Sequence, residues 1–184
     1  MSMQTASQTV GPFFVIGMVC DGENTLVQDE TVGERIYIKG QVLDGDGELV
    51  TDACVEIWQA DAQGYFNHPR DPNQDKADKS FRGFGRSETT GQGFWFKTIR
   101  PGVIADTVTP YINVRLFSRG MLVHATTRLY FSDETANADD PVLNSIPEER
   151  QSTLIAQRSD FGDVPTYRFD IRIQGEGETV FFNP

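Results

Sequence analysis

Tyr111 and Asn113 stand at two alternate positions of one predicted strand, a spacing at which two histidines would form a natural metal-binding pair. The run TPYINVRLF, residues 109–117, alternates with period two, so both side chains lie on the same strand face. The whole chain has only two histidines, His68 in a predicted loop and His124 on a different predicted strand. Transition metals are recognised by the type and number of their ligands, and a close histidine pair is missing here. The sequence therefore predicts no metal site formed by this chain.

Arg128, in the run TTRLYF, is a second residue whose chemistry suits binding, because a guanidinium can hold a carboxylate through two parallel hydrogen bonds. Alternation places Arg128 on a face with His124 and Tyr130, opposite the apolar Leu129 and Phe131. An arginine that faces away from the apolar side can contact a ligand or a partner. It can equally be a surface residue of a strand without a role, and spacing alone leaves both interpretations open.

The N-terminal segment QTVGP, residues 8–12, combines a glycine with a proline. Glycine lets another group approach the backbone closely, and proline fixes the local backbone shape. The segment is either an ordinary mobile terminus or part of a binding surface. The apolar residues FFVIG that follow indicate that it is tied to the body of the protein.

These candidate residues must be positioned by a fold made largely of strands, since strand-like runs recur along the chain and turn sequences such as DGDG at 44–47 separate them. One segment, SIPEERQSTLIAQR at 145–158, has helix signals, with Ser145 as the cap. The polar segment 64–86 is predicted to be an ordered binding or interface loop. We predict a single domain, residues 1–184, that forms an all-β antiparallel β-sandwich with long loops and one short helix. The predicted strands cover residues 35–44, 53–61, 93–99, 111–117, 122–131, 166–174 and 178–182.

Composition and charge exclude several classes of function. The formal net charge of −11 argues against a nucleic-acid partner and against binding to an anionic membrane surface. Two cysteines are too few for a disulfide framework and favour free thiols in a reducing compartment. The apolar stretch at 11–20 is too short to span a bilayer, and no Lys or Arg precedes Arg35 to form a signal peptide. We therefore expect a cytoplasmic protein.

Seven longer motifs stand out along the chain, and they are VEIWQADAQGYF, SFRGFGR, GFWFKTIRPG, SQTVGPFF, INVRLFSRG, TRLYF and YRFDIRIQGEGETVFF. Taken in their order and spacing, these motifs resemble the intradiol ring-cleaving dioxygenases. The likeness extends from about Thr5 to Phe182 and is closest to the iron-free chain of family members that are built from two related chains. It implies that this chain pairs with an iron-bearing partner subunit in a hetero-oligomer.

The resemblance implies how the family's metal site has changed in this chain. In the family, two tyrosines and two histidines hold a ferric ion, and dioxygen attacks a bound catechol between its two hydroxyl-bearing carbons. Asn73, Ile104, Tyr111 and Asn113 would occupy the four ligand positions here, and all four depart from the pattern. The resemblance thus implies that this chain alone binds no metal and is inactive, and that Fe(III) is held by the partner.

The resemblance also implies which residues still contact substrate. Arg128 would bind the carboxylate of a small aromatic catechol acid, while Thr9, Gly11 and Pro12 would line the partner's pocket beside the ring. The implied function is that of a non-catalytic subunit which completes the substrate pocket of a ring-cleaving dioxygenase. Two alternatives are a β-sandwich binding or structural module without enzyme activity, and a self-sufficient homomeric dioxygenase with unusual ligands.

Overall fold

The structure, a computed structural model, describes residues 6–11, 13–91, 93–104 and 107–183. Strands are its main elements, as the sequence predicts, and the helices are short. None of the helices in these ranges is long and apolar enough to cross a bilayer. The strands are β1 (Arg35–Gly40), β2 (Val42–Leu43), β3 (Cys54–Trp58), β4 (Phe84–Glu88), β5 (Phe94–Ile99), β6 (Ile112–Phe117), β7 (Ala125–Phe131), β8 (Ile155–Ser159), β9 (Thr166–Arg168) and β10 (Ile171–Arg172).

Eight of these strands form one large mixed sheet in the order β4–β3–β6–β7–β8–β9–β1–β5, and β10 pairs with β2 separately. The pairs β1–β9, β7–β8 and β2–β10 are parallel, and the other pairings are antiparallel. The two edge strands approach each other, since the backbone N–H of Trp95 in β5 donates to Ser87 Oγ in β4 at 3.2 Å. The predicted β architecture is therefore confirmed as a nearly closed mixed sheet, whereas the antiparallel sandwich is not confirmed.

The mixed pairing has a local cause in the connection between β7 and β8. A parallel neighbour needs a crossover connection of a dozen or more residues, and the segment between β7 and β8 provides one. The first α-helix of the chain, α1 (Phe13–Met18), lies near the N-terminus. The β7–β8 connection holds a 3₁₀ helix at Thr135–Asp139, the helices α2 (Pro141–Asn144) and α3 (Glu148–Gln151), and another 3₁₀ helix at Ser152–Leu154.

The predicted single helix over 145–158 is wrong. The last residues of this segment belong to β8, in which Ile155 pairs with Tyr130 of β7. The apolar residues that suggested a helix are buried by the sheet instead. Asp140, and not Ser145, caps the first helix of this region. The Oδ1 atom of Asp140 accepts hydrogen bonds from the N–H groups of Val142 and Leu143 at 3.0 and 2.8 Å.

Helix α1, which no sequence pattern predicted, carries an apolar surface. Its Phe14 ring packs 5.3 Å from the ring of Phe117 on β6. Two other apolar side chains of this helix, Phe13 and Ile16, are 79% and 76% exposed. The helix therefore rests on the sheet through one side and presents the other to solvent in the isolated chain.

The segment 64–86 is ordered by a network around Asp61, although its last residues form the start of β4. Asp61 Oδ1 accepts the N–H groups of Gln63 and Tyr65, both at 2.9 Å, and its Oδ2 accepts that of Asp78 at 2.8 Å. A buried carboxylate that accepts several backbone donors fixes the path of the chain around it. Asp61 consequently fixes the loop both near its start, at Tyr65, and in its second half, at Asp78.

The alternation predicted for β6 is confirmed, since Ile112, Val114 and Leu116 are buried and form part of one apolar core. The opposite face of β6 carries Asn113 and Arg115, which are only partly buried or exposed. That second face, and the loop 64–86 above it, contain most of the residues on which the functional interpretation depends.

Candidate functional site

Four neighbouring strands, β4, β3, β6 and β7, place polar and aromatic side chains in rows on one face of the sheet. Antiparallel register brings residues of adjacent strands directly opposite each other, and opposite residues share a face. This face lies under the 64–86 loop and contains two of the positions that the resemblance assigns to metal ligands or substrate. One row holds Phe84, Trp58, Asn113 and Arg128, and the next holds Arg86, Glu56, Arg115 and Thr126.

Arg128 is half-buried and lies against aromatic rings. Its guanidinium carbon is 4.1 Å from the centroid of the Tyr111 ring and 6.0 Å from that of Phe182. Nη1 donates to the hydroxyl of Tyr130 at 3.4 Å. No carboxylate within the described ranges forms an ion pair with Arg128, so the aromatic faces are what stabilise its charge.

Tyr130 is buried beside this cation and is held in its neutral form. Its hydroxyl donates to Asp140 Oδ1 at 3.2 Å. Burial raises the pKa of Tyr130 to about 12, because a phenolate would lose its hydration. Tyr130 therefore acts as a neutral hydrogen-bonding bridge from Arg128 to the cap of α2.

Three of the four predicted ligand positions line two adjacent cavities. Asn73 and Ile104 line a cavity of about 390 Å3, and Asn113 lines a cavity of about 450 Å3. Trp58 and His68 contribute to the walls of both. Asn73, Ile104 and Asn113 thus lie around Trp58 and His68. The fourth position, Tyr111, lies under Arg128.

These residues do not fit a ferric ion. The predicted positions provide two amides and an alkyl chain, together with a phenol whose ring is covered by the Arg128 guanidinium at 4.1 Å. Ferric iron prefers anionic oxygens and imidazole nitrogens, and a fixed cation at this distance would repel it. Throughout the described ranges, no three His, Cys, Asp or Glu side chains lie close enough together to hold a metal ion.

His68 is the nearest imidazole to this site, and its orientation is fixed by the loop. Its Nδ1 accepts the backbone N–H of Arg70 at 3.2 Å. The other ring nitrogen, Nε2, must then carry the proton of the neutral imidazole and is left as a donor. The ring meets Trp58 edge-on, with the centroids 5.8 Å apart.

The N-terminal candidates lie in another part of the fold, at the turn between β6 and β7. Thr9 Oγ1 accepts the N–H of Gly120 at 2.8 Å, and the carbonyl of Gly11 accepts the N–H of Phe14 at 3.0 Å. Pro12 lies outside the described residues. Arg128 pairs with Asn113 at the far end of the same hairpin, so the structure does not bring it together with Thr9 and Gly11.

Arg119 is a candidate that sequence reasoning missed. It directly precedes Gly120, and its side chain is 60% exposed and forms an ion pair with Asp52. No sequence pattern links this arginine to Thr9, since 111 residues separate Thr9 from Gly120. The pair becomes visible only when the N-terminal segment is seen against the hairpin turn.

Comparisons with known proteins point to one family over most of the chain. A family model described as Dioxygenase matches residues 9–175. The protocatechuate 3,4-dioxygenase alpha chains of Pseudomonas putida and Burkholderia cepacia are 43% and 45% identical, over 98% of this chain and 96% and 97% of theirs. The corresponding beta chain of Burkholderia cepacia is 33% identical over 85% of this chain and 72% of its own length.

Solved structures show the same fold. The intradiol ring-cleavage dioxygenase from Tetranychus urticae superposes with a TM-score of 0.61 at 18% identity, over 96% of this chain and 98% of that one. The dioxygenase domain of a carbohydrate-binding fusion protein from Streptomyces sp. SirexAA-E has a TM-score of 0.65 at 25% identity, over 83% and 87% of the two chains. Sequence and fold agree, and the chain belongs to the intradiol ring-cleaving dioxygenase family.

Proposed function

We propose that this chain is the alpha subunit of a protocatechuate 3,4-dioxygenase and that it completes the substrate pocket of an iron-bearing beta subunit. The observation that carries the proposal is the full-length likeness to two alpha chains, which exceeds the likeness to a beta chain. The chain would act as one domain, residues 1–184, of a cytoplasmic hetero-oligomer. A binding module without enzyme activity is less well supported, because it leaves this preference for alpha chains unexplained.

The partner's iron would supply the redox chemistry with which dioxygen opens the aromatic ring. Protocatechuate, which is 3,4-dihydroxybenzoate, would be cleaved between its two hydroxyl-bearing carbons. Both atoms of dioxygen would enter the product, 3-carboxy-cis,cis-muconate. The present chain would take no part in electron transfer, because its residues do not fit a ferric ion. Its role would be to bind and orient the substrate at the boundary between the subunits.

We propose that Thr9, Gly11 and Pro12 line the partner's pocket beside the substrate ring. Support comes from the exposure of Thr9 and Gly11 and from the hydrogen bond that fixes the Thr9 hydroxyl at the β6–β7 turn. An exposed backbone at glycine allows the flat face of a ring to approach closely. This segment also adjoins the exposed apolar side of α1, which suits burial against another subunit.

The substrate carboxylate requires a fixed cation, and two arginines of this chain are candidates. Arg128, which the resemblance indicates, has no ion pair with the described residues and is held by Tyr111. Arg119 is supported by its exposure and by its place next to Gly120, to which Thr9 is bonded. The two candidates lie at opposite ends of one hairpin, so substitution can separate them.

Co-expression with the beta chain of the same organism tests the proposed function. We expect the two chains to co-purify, the assembly to contain iron and to consume oxygen with protocatechuate, and the present chain alone to be colourless and inactive. Iron content by plasma mass spectrometry and oxygen uptake with an electrode provide the measurements. Stoichiometric iron on this chain alone, or failure of the chains to associate, would contradict the proposal.

A further inference from the structure

The cavity of about 450 Å3 between the loop and strands β3, β4, β6 and β7 has the features of a ligand site. Pockets for small molecules have volumes of roughly 300–1,000 Å3 and combine apolar walls with a few polar groups. Trp58 and Phe84 form aromatic walls here. The polar groups of the lining are those of Glu56, His68, Asn113, Arg115 and Thr126. All of these residues belong to the present chain.

Arg115 gives the cavity a cation without a partner. Its register neighbour Glu56 is already engaged, since Arg86 Nε donates to Glu56 Oε1 at 2.7 Å. Arg115 is exposed, and its side chain makes no hydrogen bond or ion pair with any residue that the structure describes. In a chain with a net charge of −11, an unpaired guanidinium at the wall of a cavity marks a local site for an anion.

Thr126, directly opposite Arg115 on β7, has a hydroxyl that needs a partner. Its Oγ1 is buried and has no hydrogen-bond partner among the described residues, although the cavity lies beside it. Buried polar groups are nearly always hydrogen-bonded, so a hydroxyl without a protein partner at a cavity wall is available to an atom bound in the cavity. The amide of Asn113 and the Nε2–H of His68 add further groups that can donate.

The walls favour a flat aromatic ligand. The Trp58 ring is stacked on that of Phe66 with centroids 5.5 Å apart and an interplanar angle of 10°, and this stacking fixes its orientation. Phe84 lies 6.4 Å from Trp58 at an angle of 50°. Rings held in this way present faces and edges to a further ring in the offset or edge-on arrangements that aromatic groups prefer.

We propose that this cavity binds a small aromatic carboxylate, with its ring against Trp58 and Phe84 and its carboxylate hydrogen-bonded to Arg115 and Thr126. Binding of this kind needs no metal, because the guanidinium and the hydroxyl neutralise and hydrogen-bond the carboxylate. The site would hold its ligand without changing it. The inference rests on side chains within this chain and is independent of the function proposed for its N-terminal segment.

The test uses the full chain and 4-hydroxybenzoate, a benzoate that lacks the second hydroxyl of a catechol. Isothermal titration calorimetry and chemical-shift perturbation in 15N-labelled protein measure binding. We expect saturable binding at one site, with shifts centred on Trp58 and Asn113. Acetate, which lacks the ring, and benzyl alcohol, which lacks the charge, should bind at least about tenfold more weakly, as expected when one charge-assisted contact or one ring is lost.

Two variants make the test specific. Arg115→Gln should weaken binding of 4-hydroxybenzoate by about tenfold or more, while Arg168→Gln, which removes a mostly exposed arginine on β9, should leave it unchanged. Thr126→Val keeps the shape of the side chain and should weaken binding without lowering the melting temperature, because its hydroxyl has no partner to lose. Absence of saturable binding to the wild-type chain, or binding that neither variant weakens, would overturn the proposal. Oxygen uptake by the assembly is a separate measurement and reports on the proposed function alone.

Discussion

Arg128 covers the ring of Tyr111, with its guanidinium carbon 4.1 Å from the ring centroid. Tyr111 is a position that the resemblance assigns to a metal ligand, and its ring here faces a permanent cation. A guanidinium over an aromatic face is attracted by the electron-rich ring, so the pair is stable without a carboxylate. The positive charge of Arg128 would repel a ferric ion at this position, so Tyr111 contributes to stability here through a contact that needs no metal.

Replacement of Arg128 by alanine should lower the free energy of unfolding by about 0.5–2 kcal/mol, because the cation–π contact with Tyr111 is lost. If Arg128 also holds the substrate carboxylate, the assembled enzyme should show a KM for protocatechuate raised by roughly 10- to 150-fold with little change in kcat. Tyr111→Leu is the matched control, since it removes the same contact but no cation. Urea denaturation and steady-state kinetics distinguish the two effects, and an unchanged KM would assign Arg128 to stability alone.

Replacement of Arg119 by alanine should cost much less stability than replacement of Arg128. Its ion pair with Asp52 is at the surface and is worth only about 0–1 kcal/mol, so the variant should remain nearly as stable as the wild type. If Arg119 contacts the substrate carboxylate, KM should rise while the melting temperature hardly changes. Asp52→Ala breaks the same ion pair but keeps the cation, and it should therefore leave KM close to the wild-type value. A normal KM in both arginine variants would mean that the partner alone binds the carboxylate.

Tyr130 should make stability depend on pH in the alkaline range. Burial raises the pKa of Tyr130 to about 12, whereas the unfolded chain loses this proton near the ordinary tyrosine pKa of 10.0. Between these values the unfolded state binds fewer protons than the folded state, so stability falls as the pH rises from about 10 to 12, by up to roughly 2–3 kcal/mol. The contribution is fully present below pH 10. Urea titrations at several pH values should show a steeper alkaline loss in the wild type than in Tyr130→Phe, and equal slopes would contradict the raised pKa.

Gly64 ties the loop that carries Asn73 to the segment that carries Ile104. Its φ is +87°, and a Cβ atom at this position would lie 2.0 Å from the carbonyl oxygen of Val103. Gly64→Ala should therefore destabilise the chain by more than the roughly 1 kcal/mol that backbone strain alone costs at positive φ. Gly91→Ala is a matched control, with φ of +84° and open space around the added carbon. Equal losses in urea denaturation would show that the close approach to Val103 has no energetic weight.

Local patterns predicted the strands well where one face of the sheet is buried. Ile112, Val114 and Leu116 alternate with polar residues, and the core takes up that face as expected. Patterns of the same kind failed at residues 145–158, where capping signals and apolar spacing suit a helix. Pairing of Ile155 with Tyr130 on β7 outweighed those signals, because the sheet buries the same apolar residues and also satisfies their backbone hydrogen bonds.

Motifs, alternation and residue types can be read from neighbouring residues, and they were enough to predict the family, the predominance of strands and the lack of a histidine pair at positions 111 and 113. Three relationships became visible only in the folded chain: Arg128 covers the ring of Tyr111, Thr9 accepts a hydrogen bond from Gly120, and Arg115 lies opposite Thr126 in the strand register. These contacts join residues far apart in sequence. Strand register and the packing of loops against the sheet place them together, and both depend on the free energy of the whole fold.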